Sequence, residues 1–214
     1  MCWLQELLFQ KHCIIGRWIE SLQENDLVYV FDADVLPYRD SLRLDNWHRF
    51  DTNFVFYIRC WSEEIMAGNY VVRNNALTRN FLVTWATYER FIPPGFSSAD
   101  NGAIHLALLV GLGYNATRCH QLYNNLTEGI TSEGQVPASY WNFVHCTREK
   151  LTTGRHSCGN LTFEILEKKT TWVVDSHCDE NPAIRQEFGP VFHRSTKISR
   201  SKEFLTGNYN VTFS

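Results

Sequence analysis

The sequence lacks the features of several broad protein classes. It has no apolar run of the about 18 residues that a membrane-spanning helix needs. It has no block of lysine or arginine, and its formal charge is −3, so a nucleic-acid backbone would meet no concentrated positive field. It also has no Cys-x-x-Cys pair, which disfavours structural zinc. These absences argue against membrane-embedded, nucleic-acid-binding and zinc-ribbon proteins.

The start of the chain also lacks a targeting signal. Met1-Cys-Trp-Leu-Gln-Glu has neither the basic start nor the continuous apolar segment of a signal peptide. We find no internal repeat and no low-complexity tract. With 214 residues, 44% of them apolar, the chain is long enough for a full core, and we expect a single domain over 1–214.

Cysteines and glycosylation motifs indicate an oxidising compartment. Four of the seven cysteines fall in the last hundred residues, where we expect disulfides: Cys119, Cys146, Cys158 and Cys178. Four Asn-x-Thr sequons begin at Asn115, Asn125, Asn160 and Asn210. Either the protein is cytosolic, or its targeting segment was encoded upstream of Met1.

Hydrophobic spacing predicts alternating helices and strands, which favours an α/β sheet. Apolar residues from Leu4 to Leu22 recur at helical spacing. The predicted strands are 27–31, 54–58, 70–73, 162–166 and 171–174, and the further predicted helices are 77–88 and one that follows Ser98. Beyond Gly113 the pattern weakens, and we expect only short strands joined by polar loops.

The most informative feature is an apolar run that stops at two aspartates, Asp32 and Asp34. Residues two apart in an extended chain point to the same side, so both carboxylates would face one place at the end of a buried strand. Mg²⁺ and Mn²⁺ prefer such ligands together with water and phosphate oxygens. A divalent-cation site is therefore the leading interpretation, and a strand-end turn is the alternative.

A third aspartate is expected near the same place. Ligands of open α/β sheets bind at the carboxyl ends of the strands. Asp100 lies in the first turn of a predicted helix and can converge on this crevice. It could equally be a carboxylate that only stabilises the helix N-terminus.

Four sequence blocks occur in an order that resembles a known family. They are Val30–Val35, Glu64–Asn74, Asn80–Ala86 and Ala99–Ala103. They resemble a nematode-expanded family of uncharacterised proteins that is similar to fungal Golgi galactosyl- and mannosyltransferases and plant xyloglucan xylosyltransferases. The resemblance implies the GT-A fold, a Rossmann-like mixed sheet flanked by helices, with an α/β core over 1–112 and an acceptor-side part over 113–214. Such domains usually begin with a strand–helix–strand that binds the nucleotide base. This part is missing before the first helix, which suggests an N-terminally truncated domain.

The resemblance implies a metal-dependent glycosyltransferase that moves a hexose or pentose from a UDP- or GDP-sugar to a hydroxyl of a glycan or glycoprotein, with retention of configuration. Asp32, Asp34 and His193 would hold Mn²⁺ or Mg²⁺ on the diphosphate, and Asp34 and Asp100 would be the catalytic residues. Asp32 would also reach the ribose and Asp100 the donor sugar. Gly68 and Asn69 would line the sugar pocket, and Lys197 or Arg194 would contact the phosphates. The expected location is the Golgi or secretory lumen, with membrane attachment only through an anchor absent from this chain.

Two other readings stay open. Haloacid-dehalogenase-like phosphotransferases also place Asp-x-Asp after an apolar strand, and there Asp32 would be the nucleophile. The second alternative is a lumenal binding protein that keeps the sheet of the transferases but has lost catalytic activity. His193 could instead be an ordinary core histidine and Gly68 a simple turn residue.

Overall fold

The structure, a computed structural model, describes residues 2, 4–33, 35–37, 51–60, 62–93, 96, 99–126, 138–173, 176 and 192–194, with the backbone alone at residues 36, 37, 99 and 192–194. The helices are α1 (Leu7–Trp18), α2 (Ala76–Ala86), α3 (Ala99–Gly111), α4 (Thr117–Asn124) and α5 (Ala138–Arg148), and 3₁₀ turns span Ile19–Ser21 and Thr87–Phe91. The strands are β1 (Leu27–Val30), β2 (Val35–Pro37), β3 (Phe54–Tyr57), β4 (Tyr70–Arg73), β5 (Gly154–Cys158), β6 (Leu161–Leu166) and β7 (Phe192–Arg194).

Five strands form a mixed sheet in the order β1-β4-β3-β6-β5. Strand β4 is antiparallel to both β1 and β3, and β3 is parallel to β6. Strands β1, β3 and β6 therefore run in the same direction, and their carboxyl ends share one edge of the sheet. Strands β2 and β7 form a separate antiparallel pair. The prediction of a mixed α/β sheet flanked by helices is confirmed at this level.

Both faces of the central strands are buried, which explains their nearly continuous apolar sequence. On the helix-covered face, Phe56 and Tyr70 pack against Trp85 of α2. On the opposite face, Tyr57 contacts Trp172 edge-to-face. The main core draws on the chain from Phe9 to Ile165.

Local sequence explains how α1 and α2 pack. Asn75 caps α2, with its side chain accepting from the Thr78 N–H while the Thr78 hydroxyl accepts from the Asn75 N–H. Gly16 lies at the crossing, where an added Cβ would come within 3.0 Å of Leu82 Cβ and 3.1 Å of the Arg79 carbonyl oxygen. The absence of a side chain at Gly16 thus lets α1 lie directly on α2.

Several predicted elements are confirmed and two predictions are wrong. Strands β1, β3, β4 and β6 and helices α1 to α3 are found close to the predicted positions. The predicted strand 171–174 is not found over its described residues, since residues 171 and 172 form a bend and residue 173 forms only an isolated bridge. The region beyond Gly113 is not limited to short strands, since α4 and α5 lie there. Helix α4 buries only Cys119 and Tyr123, so it has too few apolar residues to produce a periodic signal.

Disulfides link parts of the chain, as expected from the cysteine content. Cys119 pairs with Cys146, and Cys2 pairs with Cys13, a bond that the sequence did not predict. Cys60 is also disulfide-bonded, whereas Cys158 is an exposed free thiol, contrary to the expectation that it would be bridged. Cys178 lies outside the described residues. Within the described ranges, no helix is both long and apolar enough to span a membrane.

Candidate functional site

Asp32 lies two residues beyond the end of β1 and is held by two other parts of the chain. The Nζ atom of Lys11, on α1, is 2.8 Å from Asp32 Oδ1. The backbone N–H of Asp32 donates to the Asn69 side-chain oxygen at 3.1 Å, and the Asn69 amide in turn donates to the Tyr57 hydroxyl at 3.3 Å. Asn69 is 1% exposed. The position of Asp32 therefore depends on α1 and on the segment before β4.

Gly68 lies directly against the Asp32 carboxylate. A Cβ added at this position would be 1.8 Å from Asp32 Oδ2 and 2.7 Å from Met66 Cε. Such approaches are far shorter than van der Waals contact, so any residue other than glycine would displace the carboxylate. This close approach explains physically why the loop has glycine here.

Asp100 meets the same lysine from the first turn of α3. Its Oδ2 atom is 3.8 Å from Lys11 Nζ. Burial would raise the pKa of Asp100, but His12, Lys11 and the Asn101 backbone N–H outweigh it, so the pKa lies below its ordinary value. The expected convergence of Asp100 on the Asp32 crevice is found, and one ammonium group lies between the two carboxylates.

His12 forms the buried floor of this cluster. Its ring stacks on Trp85 with centroids 3.5 Å apart, its Nδ1 lies 3.1 Å from the Tyr70 hydroxyl, and its Nε2 lies 3.7 Å from Asp100 Oδ2. Burial lowers the pKa of His12 to about 4, so the imidazole is neutral at neutral pH. Burial, with Asp100 and Asp32, raises the pKa of Tyr70, which therefore keeps its proton. A Tyr70 hydroxyl that donates to Nδ1 leaves the His12 proton on Nε2, facing Asp100.

His193 lies on strand β7, which pairs with β2, the strand that follows the aspartate pair. In the β2–β7 pair, Leu36 is the partner of His193 and Val35 the partner of Arg194. His193 thus lies in register two residues beyond position 34. Asp34 and Lys197 lie outside the described residues.

Three residues of the cluster were missed by sequence reasoning: Lys11, His12 and Tyr70. Lys11 and His12 lie on the predicted amphipathic helix, where a lysine interrupts the apolar stripe between Leu7 and Ile14. This interruption was the available signal. Tyr70 was assigned only to a strand, because nothing local reveals what its hydroxyl contacts.

The cluster contains charged side chains that solvent can reach and one that is almost fully buried. The side chains of Lys11 and Asp32 are 20% and 23% exposed, whereas that of Asp100 is 6% exposed. A polar ligand can reach Lys11 and Asp32 from solvent, while Asp100 forms the inner wall. Within the described part of the chain, no three His, Cys, Asp or Glu side chains are grouped as a metal site would require.

Comparison with known proteins identifies the chain only by family. No curated protein and no solved structure matches it. A family model matches residues 1–211. The chain therefore belongs to the family described as protein of unknown function, DUF273.

Proposed function

We propose that this chain is a GT-A-like glycosyltransferase domain that moves a hexose or pentose from a nucleotide sugar to a glycan hydroxyl, with retention of configuration. One observation carries the proposal. Lys11 lies between Asp32 and Asp100 while Gly68 and Asn69 pack on Asp32, at the carboxyl end of β1. Residues from three of the four blocks that resemble transferases therefore meet where open α/β sheets bind ligands.

The proposed metal ligands are Asp32, Asp34 and His193. Among these, the described side chain, Asp32, is a partly exposed carboxylate, which suits Mn²⁺ or Mg²⁺. The pairing of His193 with Leu36 supports its assignment, because it brings the imidazole-bearing residue beside the strand that follows Asp34. A bound divalent cation would offset the negative charge that accumulates on a diphosphate leaving group.

The side chains around Asp32 have distinct proposed roles. The Lys11 ammonium can donate to a phosphate oxygen while it still compensates the carboxylates. Asp100, kept ionised by its lowered pKa, can accept hydrogen bonds from donor-sugar hydroxyls. Gly68 leaves room for the Asp32 carboxylate against the backbone, and with Asn69 it is proposed to line the sugar pocket. A retaining front-face route needs no separate carboxylate base, because the leaving phosphate can take the acceptor proton.

The proposed location is the lumen of the secretory pathway. The disulfide bonds at Cys2–Cys13, at Cys119–Cys146 and at Cys60, with exposed asparagines in three sequons, suit an oxidising, glycosylating compartment. A nucleotide sugar and a glycan or glycoprotein acceptor would be the partners there.

Calorimetric titration of the chain with Mn²⁺ and a panel of nucleotide sugars tests the proposal. We expect metal-dependent binding of one donor class and its loss in Asp34→Ala. Glu20→Ala removes an exposed carboxylate elsewhere and should leave binding unchanged. Transfer to a glycan acceptor, followed by NMR of the product anomer, then tests turnover and retention.

The same experiments separate the alternatives. Donor binding without turnover would favour an inactive binding protein. Absence of donor binding, together with a beryllofluoride adduct on Asp32, would favour the phosphotransferase.

A further inference from the structure

Two sequons lie on the same end of the domain, away from the Asp32 site. Asn115 follows α3 and Asn160 lies in the two-residue loop between β5 and β6, and both side chains are exposed. We infer that Asn115 and Asn160 carry N-linked glycans, on the side of the domain opposite the candidate active site. This inference does not depend on the proposed transferase activity.

The strand directions place Asn160 far from Asp32. The strand pairing places three residues side by side, at the same level along the strand direction: Val28 of β1, Phe54 of β3 and Phe163 of β6. Val72 of β4 pairs with both Val28 and Phe54, and Phe54 pairs with Phe163. Asn160 precedes this level by three residues, whereas Asp32 follows it by four. At about 3.3 Å per residue, the two are separated by about 23 Å along the strands.

Helix α3 places Asn115 at the same far end. Asp100 lies in its first turn and Gly111 at its end, about 16 Å away at 1.5 Å per residue. The Tyr114 hydroxyl is 3.4 Å from His156 Nδ1 of β5, and a Cβ on Gly113 would be 3.7 Å from Cys158 Sγ. The loop that bears Asn115 is thus next to the β5–β6 hairpin.

A glycan on Asn115 would also cover an open groove. The groove, about 550 Å³, has a mixed lining that includes Asn115, Arg90 and His120 together with two exposed apolar side chains, Val110 (55% exposed) and Tyr114 (37% exposed). The C–H face of a sugar packs well on an aromatic ring of this kind. The first sugar attached to Asn115 is therefore the occupant that we assign to this groove.

Asn125 does not share this placement. Asn125 follows the end of α4. The ring of Tyr123, in the last turn of α4, packs against Gly102, where an added Cβ would come within 2.7 Å of it. Gly102 is only two residues from Asp100. A glycan there would lie on the site side of the domain. Asn210 lies outside the described residues. The inference is therefore confined to Asn115 and Asn160.

The modification forms one bond and breaks one bond at each asparagine. The side-chain Nδ2 bonds to the anomeric carbon of an oligosaccharide carried on a lipid diphosphate. The bond between that carbon and the phosphate oxygen breaks and the lipid diphosphate leaves with the electron pair, while the proton lost from Nδ2 passes to solvent through the transferase. The transferase and the lipid-linked donor belong to the compartment, not to this chain.

Peptide mass spectrometry of the full chain tests the inference. The chain is secreted from eukaryotic cells behind a cleavable leader, treated with an amidase that releases N-glycans in ¹⁸O water, and digested. We expect the ¹⁸O label at Asn115 and Asn160, and the loss of one glycan mass in each of Asn115→Gln and Asn160→Gln. The same label should appear in protein recovered from the tissue that produces it.

Matched variants keep the result interpretable. Thr117→Ala retains Asn115 but destroys the sequon and should abolish its glycan, whereas Thr117→Ser should keep it. Unlabelled Asn115 and Asn160 peptides in secreted chain that retains the Cys119–Cys146 disulfide would overturn the inference. Glycans at both positions that slow the labelling of Lys11 by an amine reagent at least tenfold, relative to the enzymatically deglycosylated chain, would contradict the placement opposite the site.

Discussion

At the level of single residues, Lys11 is the side chain on which the charge balance of the site depends. Asp32 and Asp100 come from different elements, and the two carboxylates would repel each other without a cation between them. Because Lys11 is 20% exposed, solvent screens part of this interaction. Under the proposed function, we expect Lys11 to contribute more to ligand binding than to the stability of the fold. A bound diphosphate would add further negative charge at the same place.

Replacement of Lys11 should therefore weaken ligand binding more than folding. In Lys11→Met we expect the dissociation constant for the nucleotide sugar, measured by calorimetry with Mn²⁺, to rise about tenfold or more, the equivalent of about 1.4 kcal/mol. Lys11→Arg, which keeps the charge, should recover part of the affinity. Lys150→Met, which removes an exposed lysine elsewhere, is the control. An unchanged dissociation constant in Lys11→Met would refute this role.

Gly68 offers a steric test of the same site. In Gly68→Ala the new Cβ must push away the Asp32 carboxylate, from which it would be only 1.8 Å. We expect at least a tenfold loss of metal-dependent donor binding, with a destabilisation of about 1–3 kcal/mol from overpacking in urea denaturation. Gly111→Ala, whose Cβ would meet the edge of the Phe81 ring at 3.0 Å, should affect stability alone. Equal donor binding in both variants would show that the Gly68 contact does not matter.

At the level of helices and strands, the elements that were predicted correctly have strong local signals. Strand β3 is apolar throughout, and β4 is apolar up to Arg73, because both faces of the sheet are covered. The apolar spacing located α1 but not its buried face, since Leu7, Ile14 and Trp18 are 77%, 55% and 55% exposed. The residues that α1 buries are instead Phe9, His12, Cys13 and Gly16. Helix α4 gives a weaker signal because it is only eight residues long and directs only Cys119, Leu122 and Tyr123 to the core. The site was partly predictable for the same reason. Asp32 follows a recognisable strand, whereas the contact of Lys11 with Asp100 depends on how α1 packs against α3.

His105 joins three elements and shows how burial controls a titratable group. The Ile65 N–H donates to His105 Nε2 at 2.9 Å, and His105 Nδ1 lies 2.6 Å from the Thr147 hydroxyl oxygen. That hydroxyl donates to the Val144 carbonyl at 2.7 Å, so Nδ1 must carry the proton. Burial, aided by Arg148, lowers the pKa of His105 to about 3. The histidine is therefore neutral in the folded protein and links α3 to α5 and to the segment before β4.

This lowered pKa predicts a loss of stability in mild acid. The unfolded chain binds a proton at His105 below about pH 6.5, whereas the folded chain does so only near pH 3. The free energy of unfolding should fall as the pH is lowered from 6.5 towards 3, by about 1.4 kcal/mol per pH unit for this group. His105→Gln keeps an acceptor for the Ile65 N–H but does not titrate, so its slope should be smaller by about one proton. Urea denaturation at several pH values measures both slopes, and identical slopes would contradict the prediction.

At the level of the whole molecule, covalent links support the part of the domain with the weakest hydrophobic pattern. Helix α4 buries only two side chains, and one of them, Cys119, is bonded to Cys146 of α5. The attachment of α4 to α5 therefore includes a bond that forms only under oxidising conditions. This dependence also agrees with the proposed lumenal location.

Removal of the Cys119–Cys146 bond should thus lower global stability. The bond closes a loop with a sequence separation of 27, which corresponds to about 3–4 kcal/mol of lost entropy in the unfolded chain. The double variant Cys119→Ala/Cys146→Ala should lose a similar free energy of unfolding in urea, with a lower transition midpoint. Cys158→Ala, which removes an exposed free thiol, should leave the midpoint unchanged. If the double variant unfolded at the wild-type midpoint, the packing of Leu122 and Tyr123 would suffice to hold α4, and the proposed contribution of the bond would be wrong.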